Sequence, residues 1–199
     1  MFVRVMSLLV ALALLGVVAG CSKAPEAEMQ AGEESLNKAQ LAEAQDYAPA
    51  IYQQALDSLN AAKVEIQKQD GKFSLFRDYD RAKELLTSAQ TIGDQAIAEA
   101  QTAKEQTRIQ DSVLAYTIDT LMVAAKAAID KAPRGKGTRA DIELLKTDLA
   151  SVEPAYAAAV ADVQAGKYLA ARAKFEAIES QLNRIIADVA AAKAKVSGN

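Results

Sequence analysis

Apolar residues recur along most of the chain at alternating steps of three and four, and no stretch alternates apolar and polar with a period of two. That spacing places them on one face of an α-helix and gives no support to strands. Four helical segments follow. The first runs from about Ser35 to Asp70, with Leu41, Ala44, Ala48, Ala55, Leu59, Ala62 and Ile66 on one face. Asp70-Gly71 is its stop, because glycine takes the left-handed conformation that ends helices. The second starts near Asp78 and carries Tyr79, Ala82, Leu86, Ala89, Gly93, Ala96, Ala100, Ala103, Thr107, Gln110, Leu114, Thr117, Leu121, Ala124 and Ala128. Its steps alternate without a slip, and no proline intervenes before Pro133, so the pattern predicts one helix continuous to about Ala132.

Pro133-Arg134-Gly135-Lys136-Gly137 breaks the pattern, and Thr138 with Asp141 resembles a capping pair that starts a third helix. Its stripe is Ile142, Leu145, Leu149, Val152, Tyr156, Ala159 and Val163; Pro154 lies inside it and should kink or split it. Gly166 ends it. The fourth helix carries Tyr168, Ala171, Phe175, Ile178, Leu182, Ile185, Val189, Ala192 and Val196. Alanine supplies 43 of 199 residues and aromatic residues only 5%, so the seams are built from small side chains that let helices approach closely. The fold class expected is all-α: an elongated bundle of about four helices with one very long helix. A helical hairpin over 35–105 continues through that helix into a three-helix bundle over 106–197.

The first twenty residues differ in kind. Arg4 is followed by an apolar run from Val5 to Val18, broken only by Ser7 and Gly16, and then by Ala19-Gly20-Cys21. A basic start, a short apolar stretch and small residues at its end have the layout of a secretory signal over 1–20. At roughly 14 residues the run falls short of the ~20 that cross a bilayer as a helix. Residues 21–34, with Pro25, Gly32 and no periodic stripe, read as a flexible tether.

Val18-Ala19-Gly20-Cys21 resembles the lipobox of bacterial lipoproteins, and Cys21 is the one cysteine in the chain. The resemblance implies cleavage between Gly20 and Cys21, a diacylglycerol on the thiol and an acyl chain, such as palmitate, on the new amino group. Several chains at ~0.8 kcal/mol per buried methylene hold a protein on a membrane stably, where a single chain would not. Ser22 after the cysteine, in the enterobacterial pattern, implies an outer-membrane location facing the periplasm.

Two further resemblances concern the helices. Gly166-Lys167-Tyr168, Ala171 and Phe175 resemble the second helix of a tetratricopeptide repeat, where glycine makes the turn and alanine lets two helices touch. Tyr79 and Ala82 have the same spacing as Tyr168 and Ala171, but the two stretches are not tandem at the ~34-residue period, so independent helix hairpins are the expectation. Asp46-Tyr47-Ala48-Pro49, with Tyr52, Ala55, Leu59 and Ala62, is similar to an uncharacterised family of alanine-rich bacterial envelope lipoproteins. That similarity implies location and fold and no activity.

The residues present narrow the chemistry further. Without histidine, neither a Ser-His-Asp nor a Cys-His arrangement exists in this chain. One cysteine forms no internal disulfide and no cysteine cage for zinc. Gly135-Lys136-Gly137-Thr138 lacks the upstream glycine and the preceding strand of a phosphate loop and reads as a turn. A net charge of −3 gives no long-range attraction to nucleic acid. No enzyme, metal or cofactor is expected. The function that fits is a structural or adaptor role in the cell envelope, with the membrane as partner through Cys21 and an envelope protein or peptidoglycan as a further one. The alternative is a carrier holding an apolar ligand or a peptide between its helices. Partner contacts are expected at the two turns flanking the long helix. One holds Phe73 and Phe76, which either dock a partner or fold back to plug the hairpin; the other holds Arg134, Lys136 and Arg139. Cys21→Ala should leave the precursor unprocessed or free of outer-membrane fractions; a variant that fractionates like the parent sinks the lipoprotein reading.

Overall fold

A computed structural model describes residues 23–133 and 138–197. Among these residues the chain is all-helical. The elements are α1 (Glu26–Leu41), α2 (Ala44–Tyr47), α3 (Pro49–Asp70), a single 3-10 turn (Ser74–Phe76), α4 (Asp80–Asp130), α5 (Arg139–Gln164) and α6 (Tyr168–Ser197). The 51-residue α4 is the one very long helix that the uninterrupted stripe predicts. The expectation of about four helices becomes six described ones, because the segment from Ser35 to Asp70 is broken twice. Glu43 sits at φ 59, the left-handed conformation, and separates α1 from α2. Ala48 has φ −141 and ψ 52, outside the helical region, as a residue before proline tends to be, and Pro49 then opens α3 at a position where its missing N–H costs nothing. Gly71, by contrast, has φ −69 and is not left-handed.

The chain divides into two compact units between Ala103 and Lys104. In the first, Leu36 of α1, Ala55, Leu59 and Ala62 of α3, and Leu86 and Ala89 of α4 form one core. A second cluster gathers Ala39, Ala44, Ala48, Ala96 and Ala100. Residues 26–34, expected as part of a tether, are therefore helical and packed: Gly32 and Ser35 are buried against α4 and Leu59. No apolar stripe marks this stretch because glycine and serine occupy the contact. Three helical stretches pack here where a two-helix hairpin was expected. Orientation follows from the pairings. Gly32 lies against Leu86 and Ala89, and Ser35, three residues on, shares its one hydroxyl proton between the Gln90 carbonyl at 3.0 Å and Asp94 Oδ1 at 2.8 Å, so α1 and α4 run parallel. The α3 helix, joined to α4 by the turn that Tyr79 and Asp70 close, runs antiparallel to both, with Glu33 and Lys63 paired at 2.8 Å.

The second unit has a larger-grained core. Ile118, Ala125 and Ile129 of α4 meet Ile142, Leu145, Val152 and Ala159 of α5 and Ala171, Phe175, Ile178, Leu182, Ile185 and Val189 of α6. Pro154 lies inside α5 without splitting it. In the turn before it, Gln181 Nε2 donates to the Asp148 carbonyl at 2.9 Å and to Ser151 Oγ at 3.0 Å, tying that stretch to α6. Thr138 precedes α5 but caps nothing with its side chain; its hydroxyl donates to the Pro133 carbonyl at 2.8 Å. Gly166, at φ 73, closes α5: its N–H donates to the Val163 carbonyl and the Lys167 N–H to the Asp162 carbonyl, a Schellman ending.

The buried stripe on α4 does slip once. Through Thr107 the buried positions follow the expected series, but beyond it Asp111, Ile118 and Ala125 are buried in place of Gln110, Thr117 and Ala124. Two successive steps of four, Ala103 to Thr107 to Asp111, advance the seam by one residue, the geometry of a stutter. Ile118 offers more apolar area to the second core than Thr117, which favours the shift.

Two glycines in the first unit separate close packing from loose. A Cβ on Gly32 would meet Leu59 Cδ1 at 3.5 Å, ordinary contact, whereas one on Gly93 would lie 2.4 Å from Ser35 Oγ and 3.5 Å from the Ser35 carbonyl carbon. Gly32→Ala should raise stability by up to ~1 kcal/mol through helix propensity. Gly93→Leu should lower it by about 2 kcal/mol or more through overpacking. Urea denaturation of both variants checks this; equal effects would mean α1 does not dock as described.

Candidate functional site

Between α3 and α4 the chain turns through residues 71–79. Asp70 ends one helix, and the Asp78 carboxylate accepts the Asp80 backbone N–H at 2.9 Å to cap the next. The turn between them is braced from inside. Arg77 donates through Nε to the Lys72 carbonyl at 3.0 Å and through a guanidinium nitrogen to the Asp70 carbonyl at 2.9 Å. The Asp78 N–H donates to Gln69 Oε1 at 3.1 Å, and the Phe76 N–H to the Phe73 carbonyl at 2.8 Å. Beneath them Tyr79, 1% exposed, donates its hydroxyl to Asp70 Oδ1.

With the backbone held in this way, three large apolar side chains point outward. Phe73, Leu75 and Phe76 are 67%, 57% and 74% exposed, and the two rings stand 6.3 Å apart, tilted at 50°. The plug reading fails: a ring folded back on the hairpin end would be buried, and it is Tyr79 that fills that place. Leaving two of the three phenylalanines beyond Phe2 in water forgoes burial energy of about 1.5–3 kcal/mol for each side chain. An exposed aromatic pair on a rigid turn is thus the most distinctive surface feature of the first unit.

The second expected contact is described only in part. Arg134 and Lys136, like Gly20 and Cys21, lie outside the described residues. Arg139 opens α5, exposed, on a cleft of about 320 Å³ shared with Ile129, Pro133, Ile142, Glu143 and Lys146. Lys146 is paired with Glu143 at 2.8 Å.

One polar feature had no signal in the sequence. Asp111 is fully buried, with Oδ1 accepting from Arg172 Nε at 3.0 Å while Arg172 also donates to the Thr107 carbonyl at 3.0 Å. Asp111 Oδ2 has no protein partner. Sixty-one positions separate these residues, and nothing in the spacing of either announces the other. Asp111 borders a cleft of about 350 Å³ lined also by Ser112, Ala115, Tyr116, Asp119, Val160, Val163 and Phe175. Arg172 already occupies the carboxylate, so the arrangement is that of a structural ion pair more than a reactive group. Among the described residues no group of three or more cysteine, aspartate or glutamate side chains is placed to hold a metal ion.

α4 is long and apolar enough, by length and composition, to cross a membrane. Only 17% of its most apolar stretch is buried, with Ile118, Ala125 and Ile129 in the core of the second unit. Its other side carries the exposed Val113, Tyr116 and Val123. No known protein family, curated protein or solved structure matches this chain.

The Tyr79–Asp70 bond makes the turn sensitive to alkali. Donation to the Asp70 carboxylate, followed by burial, raises the Tyr79 pKa above the usual tyrosine range. The stability it contributes is complete below the unfolded value near ~10 and is lost as pH rises through the raised folded value. Tyr79→Phe should lower stability at neutral pH and shallow the decline above about pH 10. Urea midpoints measured from pH 7 to the alkaline limit test it, and an identical alkaline decline in the variant would count against the bond.

Proposed function

We propose that this chain is a lipid-anchored lipoprotein of the bacterial cell envelope that faces the periplasm from the outer membrane and acts as a non-catalytic structural or adaptor protein. The observation that carries the reading is Cys21: the single cysteine, closing Val18-Ala19-Gly20-Cys21 after a short apolar run with a basic start. Three lines support the adaptor role. The absence of histidine from the chain removes the usual general base and proton shuttle. The acidic side chain most deeply buried among the described residues, Asp111, is taken up by Arg172. A braced turn presents exposed aromatic residues instead of a closed, ligand-sized pocket. An envelope protein or peptidoglycan is the proposed partner besides the membrane. The carrier alternative gains little, since Ala55, Ala62, Ala82, Ala89, Ala96 and Ala100, all fully buried, close the seams of the first unit.

Mass spectrometry of the chain purified from bacterial membranes tests the anchor. Trypsin should release Cys21-Ser22-Lys23 with a diacylglyceryl thioether and an amide-linked acyl chain. A peptide that still joins Gly20 to an unmodified Cys21 overturns the proposal.

A further inference from the structure

The aromatic turn and Pro25, four residues after the proposed lipid anchor in sequence, belong to the same end of the first unit. Gly32 lies against Leu59 of α3 and against Leu86 and Ala89 of α4, and Glu33 pairs with Lys63. Since α1 and α3 run antiparallel, following α1 back towards Pro25 leads towards the end of α3 at Asp70. Following α4 back from Ser35's partners, Gln90 and Asp94, leads to its start at Asp80. Pro25, the turn 71–79 and the first residues of α4 therefore sit at one end, while Leu41 and α2 are at the other. Cys21 is four residues from Pro25, a reach of at most about 14 Å in extended chain.

We propose that residues 72–77 are a second membrane contact, inserting Phe73, Leu75 and Phe76 into the interfacial layer of an anionic bilayer beside the lipidated cysteine. The proposal rests on the lipid anchor and names the membrane as the partner of the aromatic turn. Three features single out lipid. The exposed apolar side chains are contiguous and bracketed by two cations, Lys72 and Arg77, with no acid between them. Apolar and aromatic side chains partition into the headgroup boundary, and flanking lysine or arginine draws them to anionic lipid. The nearby acids lie outside the bracket and turn inward or pair: Asp70 accepts from Tyr79, Asp78 from the Asp80 N–H, and Asp80 stands 3.7 Å from Lys83. The turn is also ordered by its own hydrogen bonds, so insertion does not have to order the backbone first. A single lipid anchor does not by itself set the orientation of the unit to the membrane; a second contact at this end would.

The chain has no tryptophan, so a single one reports on its own surroundings. Full-length protein purified from membranes, carrying Phe76→Trp or Leu41→Trp, is reconstituted into vesicles of phosphatidylethanolamine and phosphatidylglycerol at roughly three to one, with and without brominated phosphatidylcholine. Leu41 is the control, 77% exposed at the opposite end. The indole of the Phe76→Trp variant should be quenched severalfold more strongly by the brominated lipid than that of Leu41→Trp, and should emit further to the blue. The difference should shrink when Phe73→Ser and Leu75→Ser are added. Protein that floats with the vesicles while the two variants are quenched alike overturns the turn contact and leaves the anchor standing. Protein that does not float with them overturns both.

Discussion

Alanine at the helix seams governs the first unit. Ala39, Ala55, Ala62, Ala82, Ala89, Ala96 and Ala100 are wholly buried, with Gly32 and Gly93 between them, and such side chains let helix axes approach to the near end of the usual 8–10 Å range. Close approach makes position matter more than volume. At Gly93 a methyl group would lie 2.4 Å from the Ser35 hydroxyl, which would have to move away and give up its bonding to Gln90 and Asp94. Each buried alanine removes little apolar area from water, so stability there is spread along many contacts. The second unit is built the other way, around Phe175, Leu182, Ile185 and Ile118, each no more than 2% exposed. One helix serves both regimes. Before Ala103 its fully buried positions are alanine and glycine with Leu86 alone among them; after Lys104 Ile118 and Ile129 enter the core.

That change of regime accounts for the slip in the α4 stripe. A strict heptad would keep Gln110 and Thr117 in the seam; a stutter brings in Asp111 and Ile118. Ile118 gains burial, and Asp111 incurs a desolvation cost that Arg172 offsets with a charge-assisted bond. Arg172 also reaches the Thr107 carbonyl, so one guanidinium holds two successive seam positions of α4 to α6. Breaking such a buried pair from one side is costlier than never having made it, which makes the pair a specifier of register more than a source of net stability.

The exposed aromatic turn is the reverse of these solutions. Elsewhere in the first unit the seams are filled mostly by small groups, yet here Phe73 and Phe76 face outward while Tyr79, with a polar hydroxyl, takes the buried position. The arrangement is consistent chemically, since Asp70 gives the buried hydroxyl an acceptor and phenylalanine would leave that carboxylate unanswered. It also explains why the outward rings do not simply collapse: the place they would occupy is filled, and Arg77 and Gln69 hold the backbone in place.

The sequence by itself determined the helical class, the length of α4, the seam residues of α5, those of α6 as far as Ala192 and the end of α5 at Gly166, because these depend on local periodicity and on backbone preferences of single residues; Val196, expected on the same stripe, is 50% exposed. It also marked Phe73 and Phe76 as unusual, by their concentration in a chain so poor in aromatics. Only the tertiary structure decided which way those rings point, because a turn can either present Phe73 and Phe76 or fold them back, until Tyr79 of the stripe is seen to fill the end of the hairpin on Asp70. The docking of residues 26–34 was hidden for a related reason: Gly32 and Ser35 bury backbone and a hydroxyl, which leave no apolar stripe to read. The break at Pro49 was legible in principle from the missing N–H, whereas the one at Glu43 was not, since a glutamate has no local preference for the left-handed conformation. The Asp111–Arg172 pair lay furthest from view, because a buried charge depends wholly on a partner brought to it from another helix.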